Sequence, residues 1–462
     1  MKLSTRAGRT SSRRAAAAAR NRGLPAKTNG APVAAAVYLP TKPKGIGGLL
    51  RTLGPGLVTG ASDDDPSGIG TYSQVGAQFG FGMLWTMLFS YPLMVSVQLI
   101  SARIGRVTGH GIAGNLRRHY PRKLLLPLVL LLVVANTINI GADLGAMGAA
   151  LHLLVGGTTV WYTLLFGLVS LVLQVFVPYS RYVRILKWLT LAVFSYVATV
   201  FAISIPWAEV ALRTLVPQIS LSTEYITAVV AVLGTTISPY LFFWQASQEV
   251  EEIEAVPTDK PLKRAPHQAR KQFERIGLDT YVGMGVSNLV AFFIILTTAV
   301  TLNAHGVHDI ESSAQAADAL RPLAGEFAFF LFAAGIIGTG LLAVPVLAGS
   351  AAYGVGEALA WRTGLERKPN RAKGFYAVIA VATAAGVAMN FTHINPVKAL
   401  FWSAVINGVI AVPILVVIML MASRRAVMGE FVASTRLKVM GWLTALVMAL
   451  CVAAMFVTWP KQ

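Results

Sequence analysis

Three consecutive aspartates, Asp63-Asp64-Asp65, stand in front of Pro66-Ser67-Gly68 and interrupt an otherwise apolar run. A second interruption, Ser238-Pro239-Tyr240, follows Gly234-Thr235-Thr236-Ile237. Proline removes one backbone donor and disfavours helix in the residue before it. Backbone freed in this way at membrane depth must face protein or a water-filled cavity. Both breaks are rich in oxygen: the carboxylates, the hydroxyls of Ser62, Thr235, Thr236 and Ser238, and freed carbonyls. Hard oxygen donors suit Mg²⁺, Ca²⁺ or Mn²⁺, whereas sulfur favours copper or zinc. A charged side chain at the bilayer centre costs about 2.5–3.5 kcal/mol on insertion scales. Three carboxylates there therefore need cations, water or protons. An aspartate before a proline can also cap the resumed helix, and a cap at that depth still lines a cavity.

Few other residues compete for chemistry. Asp143 is a further acid inside an apolar run, and Asn136, Asn139 and Asn407 are amides in similar surroundings. Such amides line a pathway or bond a neighbouring helix. The seven histidines (His110, His119, His152, His267, His305, His308 and His393) fall in loops or at span ends, so neither break has an imidazole nearby. The single cysteine, Cys451, excludes an intramolecular disulfide and a thiolate metal cluster. Glu249, Glu251, Glu252 and Glu254 read as a solvated loop face, or else as a cation-attracting vestibule. No HExxH, GxSxG or GxxxxGK[ST] motif is present and Ser67 has no histidine near it, so an enzyme or receptor is a poor reading.

The elements that must carry these residues are membrane helices. Hydrophobic residues make up 55% of the chain and charged ones 13%, with a mean hydropathy of +0.62. A soluble domain carries about 25% charged residues. Eleven apolar spans are predicted, at 54–76, 82–102, 124–152, 159–178, 186–207, 225–248, 280–303, 325–350, 374–391, 398–422 and 439–459. Loops after the even-numbered spans hold 24 Lys and Arg; the opposite loops and the C-terminus hold only Arg213, Arg321, Lys398 and Lys461. This asymmetry places the N-terminus in the cytoplasm and the C-terminus outside the cell membrane. Residues 1–45 read as a disordered, basic cytoplasmic tail, and 46–460 as the transmembrane domain. The net charge of +19 thus reflects topology rather than nucleic-acid binding. Five spans separate the two breaks, the spacing expected if spans 1–5 and 6–10 are inverted repeats with a substrate site at the paired interruptions.

Gly54-Pro55-Gly56-Leu57, the Asp65-Pro66 break, Gly76-Ala77-Gln78-Phe79-Gly80, Ser101-Ala102-Arg103-Ile104-Gly105 and Ala142-Asp143-Leu144 together resemble the Nramp divalent-metal transporters over roughly residues 45–460. The resemblance implies an all-α LeuT-type fold with spans 1 and 6 unwound at the ion site. It also implies metal ligands at Asp65 and at the backbone carbonyls of Ser62 and Thr235. The departures share one direction. Gly68 stands where the family has a ligand asparagine, and Ser238-Pro239-Tyr240 stands where it has Met-Pro-His. Gln245 replaces a second histidine. Asn136 and Ala146 replace span-3 glutamates of the family's proton path, of which Asp143 remains. Without the thioether, rejection of hard, hydrated cations weakens; without the glutamates, proton coupling does too. The chain is therefore similar to the magnesium-carrying branch.

The expectation is a monomeric carrier of Mg²⁺ or Mn²⁺ with no resident cofactor, the ion being cargo. Its site is built from Asp65, Ser62, Asp64, Gly68, Thr235 and Ser238, with Asp143, Asn136 and Asn407 along a polar pathway. The alternative keeps the fold and changes the cargo to a cationic amine or an amino acid; three aspartates would repel an amino-acid carboxylate.

Overall fold

The computed structural model describes residues 59–60, 62–177, 189–392 and 394–459. The basic tail, Gly54-Pro55-Gly56-Leu57, the loop carrying Arg181, Arg184 and Lys187, His393 and Lys461 lie outside the described residues.

Hydrophobic runs of this length fold as helices because no water is available to satisfy a bare backbone in lipid. In chain order they are α1 (Pro66–Phe79), α2 (Trp85–Thr108), α3 (Ile112–His119), α4 (Arg122–Val155), α5 (Thr159–Phe176), α6 (Phe194–Ala202), α7 (Thr223–Thr236), α8 (Pro239–Ala255), α9 (Ala269–Thr301), α10 (Ala328–Ala358), α11 (Lys373–Met389), α12 (Pro396–Ser423) and α13 (Thr435–Thr458). Among the described residues, eight stretches are long and apolar enough to cross a membrane, with α7 and α8 together forming one of them. Spans 5 and 9 correspond to the shorter apolar helices Leu191–Ala202 and Lys373–Met389. Span 1 is the broken one. Leu126, Leu130, Trp161, Leu165, Leu168, Leu446 and Leu450 are exposed and form part of a belt that only lipid can cover.

Several boundaries differ from expectation: α2 runs on to Thr108 and α10 to Ala358, past the expected ends at 102 and 350. Span 7 begins at Ala269 rather than residue 280, because the polar stretch through Arg270, Lys271 and Arg275 continues the helix past the apolar window. The glutamates after span 6 do not form a solvated loop. Helix α8 runs on to Ala255 and carries them with it. Glu249 is fully buried and meets Arg275 at 2.6 Å; Glu252 meets Arg275 at 2.8 Å and Arg106 at 3.9 Å. Arg106 also pairs with Asp259, and Glu251 accepts from Tyr353 Oη and Leu365 N. Only Glu254, paired with Arg367, is exposed. A buried carboxylate without such partners would cost several kcal/mol, which explains why basic residues from three segments converge here.

The site is held in a core of α1, α4, α7, α8, α9, α10 and α12. Helix α1 packs on α9 and α12, α7 packs on α12, and α4 packs on both α10 and α12. Small residues permit the close approaches. A Cβ on Gly234 of α7 would sit 2.1 Å from Ala404 O and 2.8 Å from Gly408 Cα on α12, so that pair of helices depends on glycine there.

Candidate metal site at two helix breaks

Both expected breaks are present. Helix α1 starts at Pro66 with Asp65 as its N-cap, in extended conformation (φ −69°, ψ 170°). Helix α7 ends at Thr236, and Ile237 (φ −120°, ψ 54°) and Ser238 (φ −80°, ψ 136°) turn the chain into Pro239 of α8. Each break juxtaposes the carbonyl end of one half-helix with the amide end of the next. The carbonyl ends carry partial negative charge and favour a cation.

Asp65 is the centre of the arrangement. Its Oδ1 accepts from Gly68 N at 2.7 Å and from Ser67 Oγ at 2.8 Å. Its Oδ2 accepts from Asn139 Nδ2 at 3.1 Å and lies 3.3 Å from Tyr240 Oη. Tyr240 has one hydrogen, and its closer acceptor is Ser62 O at 2.9 Å. Asn139 on α4 spends its second amide hydrogen on Asp143 Oδ2 at 3.0 Å, and its Oδ1 accepts from Asn407 Nδ2 of α12 at 2.8 Å. One asparagine thus joins two carboxylates and a second amide. All of these side chains are at most 1% exposed.

Two further oxygens in this network are short of partners: Asn407 Oδ1 is buried with none, and Asp143, beyond Asn139, meets only the Ser67 backbone amide. Buried acceptors are normally paired, so these atoms mark where a hard cation or its water would sit. The carboxylate of Asp65 has about four lone-pair directions; Gly68 N, Ser67 Oγ and Asn139 Nδ2 fill three, and the fourth faces Tyr240 Oη. A cation enters at the fourth. The Tyr240 hydroxyl yields most easily, since Ser62 O already holds its hydrogen.

The remaining predicted residues separate. Gly68 faces the second break: a Cβ there would lie 3.3 Å from Thr235 Oγ1 and 3.1 Å from Asp63 O. Ser238 sits at the break, but its hydroxyl turns back to Gly234 O at 2.6 Å and Thr235 O at 2.8 Å, closing the end of α7. Asn136 is outside the network and donates to Leu347 O of α10 at 2.8 Å. Asp64 Oδ1 lies 3.2 Å from Ser287 Oγ of α9. Sequence reasoning gave no site role to Tyr240, Ser67 or Ser287, and weighed Asn139 no more heavily than Asn136. Tyr240 lay within the motif and carried a polar tip; Ser287 offered no signal in an ordinary apolar span.

No group of three or more His, Cys, Asp or Glu side chains positioned for one metal ion occurs among the described residues. A cation at Asp65 would be held by carboxylate, amide, hydroxyl and carbonyl oxygens and would keep part of its water.

The model of the "Natural resistance-associated macrophage protein-like" (Nramp) family matches residues 56–458. The "Divalent metal cation transporter MntH" of Acidiphilium cryptum is 26% identical over 385 residues, covering 81% of this chain and 83% of its own. That of Deinococcus radiodurans is 24% identical over 420 residues, covering 88% and 89%. Among solved structures, the Eremococcus coleocola manganese transporter superposes with a TM-score of 0.69 at 17% identity, covering 92% of this chain and 91% of that one. MhsT, solved with L-phenylalanine, reaches 0.55 at 14% identity over 87% and 98%. These likenesses establish the LeuT-type fold, and the curated relatives are named as transporters rather than enzymes. With its two broken helices and its match across 56–458, the chain belongs to the Nramp family.

Proposed function

We propose that this chain carries hard divalent cations, Mg²⁺ and Mn²⁺, through the cell membrane by alternating access, with little coupling to protons. The carrying observation is the chemistry around Asp65: a carboxylate whose polar partners are an amide N–H, a serine, an asparagine and a tyrosine, with Ser238 and Tyr240 in the second break. The relatives named above are divalent metal transporters. In this chain the oxygen-rich set leaves Mg²⁺ acceptable alongside Mn²⁺. Met147 Sδ of α4 and Pro66 Cγ of α1 both border Gly340 of α10, 2.4 and 3.2 Å from where a Cβ would stand. On this reading Met147→Leu leaves the selectivity unchanged.

The basic loops put the N-terminus in the cytoplasm, and the carrier acts as a monomer in the bilayer. An amino-acid cargo is disfavoured because Asp65 itself occupies the N-terminus of α1, the position a substrate carboxylate would take. Weak proton coupling follows from Asn136 and Ala146 standing beside Asp143 with no second carboxylate within one or two turns of α4.

The test is uptake into proteoliposomes. Mg²⁺ should compete with Mn²⁺ at comparable concentration, and an imposed pH gradient should change the rate little. Ser238→Met should restore discrimination against Mg²⁺. Strict Mn²⁺ selectivity in the unmodified chain, with uptake driven by the pH gradient, contradicts the proposal.

A further inference from the structure

We infer that the basic-loop face holds a binding site for the phosphate headgroup of an anionic lipid. It is built where α3, the connection between α8 and α9 and the turn after α12 meet, with Arg118, Lys263 and Arg424 as its cationic wall.

Topology requires only that cations lie on one side of the membrane. It does not require connections far apart in the chain to meet, and here three of them do. Leu262 N donates to Arg106 O at 3.1 Å and Lys263 N to Val107 O at 3.2 Å, which pins the connection after α8 to the last turn of α2. Lys263 then reaches across to the turn Arg425–Met428. Its Nζ donates to Ala426 O at 3.4 Å, and its Cε lies 3.3 Å from where a Cβ on Gly429 would stand. Helix α3 packs against the same turn. Arg424 lies over the ring of Tyr120, the residue that ends α3, with its guanidinium carbon 5.2 Å from the ring centroid. Because α3 buries Ile112, Ala113 and Leu116, its last turn is left to present Arg118 outward.

The charge gathered there is uncompensated. Arg118, Lys263, Arg264, Arg424 and Arg425 are all exposed, and none takes part in an ion pair among the described residues. Neighbouring carboxylates are engaged elsewhere: Asp259 pairs with Arg106, and Glu357 accepts from Gly111 N and Gly114 N, each at 2.9 Å. Glu430, just past the turn, is exposed and pairs with none of the five. Two hydroxyls flanking Arg424, those of Ser423 and Tyr120, are buried with no hydrogen-bond partner. Buried polar groups are normally paired. A phosphate supplies both the missing charge and the missing acceptors, and arginine binds it with two parallel N–H donors.

Depth selects a lipid over a soluble anion. Arg122 opens α4 two residues after Tyr120, and the exposed Leu126 and Leu130 follow it at four-residue intervals on one face. At 1.5 Å per residue the lipid-facing surface begins about 6 Å from the patch level. The patch therefore stands just outside the hydrocarbon edge, where lipid phosphates lie, and basic pockets between membrane helices at that level take anionic headgroups. A lipid seated there ties three separate connections together.

Competition against a fluorescent phosphatidylglycerol, bound to the purified full chain in uncharged detergent, tests this. Unlabelled phosphatidylglycerol should displace the probe at least about tenfold more effectively than phosphatidylcholine. Arg118→Gln/Lys263→Gln/Arg424→Gln should lose that preference. Arg362→Gln/Lys368→Gln/Arg371→Gln removes the same charge from exposed positions between α10 and α11 and should keep it. Tyr120→Phe keeps the ring under Arg424 and removes the hydroxyl; it should weaken binding about 2- to 10-fold, and it serves if the first triple variant does not fold. Equal loss in both triple variants would reduce the patch to non-specific surface charge. Displacement by inorganic phosphate as effective as by phosphatidylglycerol would assign it to a soluble anion. Either result, no preference over phosphatidylcholine in the wild type, or binding unmoved by Tyr120→Phe overturns the lipid site.

Discussion

The half-helix before the first break rests on α9 so closely that Gly60 has no room for a side chain. A Cβ at Gly60 would lie 2.3 Å from Gly283 O and 2.5 Å from Gly283 C. Comfortable contacts between such atoms need about 3.5 Å, so the two segments would have to part by about 1 Å. Both clashing atoms are backbone, and no rotamer change relieves them. Overpacking of this kind costs about 1–3 kcal/mol. On the alternating-access reading proposed above, an opened state that parts this half-helix from α9 relieves the clash, so the cost passes into the opening equilibrium. Gly60→Ala should therefore shift the population toward the open form roughly 5- to 150-fold. The lone native thiol makes the assay clean: in a Cys451→Ser background, Thr280→Cys places a buried reporter on α9. Its labelling by a membrane-impermeant maleimide applied from the basic-loop side should accelerate by that factor. Gly277→Ala, on the same helix with nothing within 4 Å of the added carbon, should change nothing. Unchanged labelling in Gly60→Ala, or equal acceleration in Gly277→Ala, would refute the packing argument.

Asn139→Ala should raise KM for Mg²⁺ and Mn²⁺ by roughly 10-fold or more in liposome uptake, because each hydrogen bond to a charged group is worth about 1.5–3 kcal/mol; an unchanged KM would remove Asn139 from the site. Tyr240→Phe should act more gently, about 2- to 10-fold on KM, since its hydrogen is held chiefly by Ser62 O. Arg275→Gln strands the fully buried Glu249 and should destabilise the fold by about 3 kcal/mol, seen as earlier thermal unfolding in detergent, whereas Arg270→Gln, with its side chain 92% exposed, should not. His110, in the connection between α2 and α3, is held down to about 4 by burial and then by Arg118, Arg117, Arg264 and Lys263. A histidine depressed in this way contributes stability above its usual value of about 6.5 that is lost as pH falls toward about 4. His110→Gln should flatten the unfolding-versus-pH curve across that window.

Much of this was legible in the residues themselves. Prolines 66 and 239, set behind small polar residues in apolar runs, announce broken helices because proline chemistry is local. The spans are legible because lipid demands apolar length. Long-range partnership is not. Asn136 and Asn139 lie three residues apart in the same apolar run and have equal claims by composition, yet only Asn139 reaches Asp65 and Asp143. The family comparison marks Tyr240 as a lost imidazole; that its phenol reaches back to Ser62 O depends on how α8 crosses the first break. The glutamates of α8 read as solvated because their arginine partners lie 23 to 146 positions away in the chain. Ser287 becomes notable only once α9 lies against the aspartates.

The central claim is that Asp65 oxygens hold the cargo ion between the two breaks. Paired Mg²⁺ and Mn²⁺ influx into liposomes, wild type beside Asp65→Ala at matched reconstitution, tests it most directly. The account predicts saturable influx of both ions in wild type and background influx of both in the variant, with the variant still eluting as a single folded species. Retained influx of either ion by folded Asp65→Ala would contradict it.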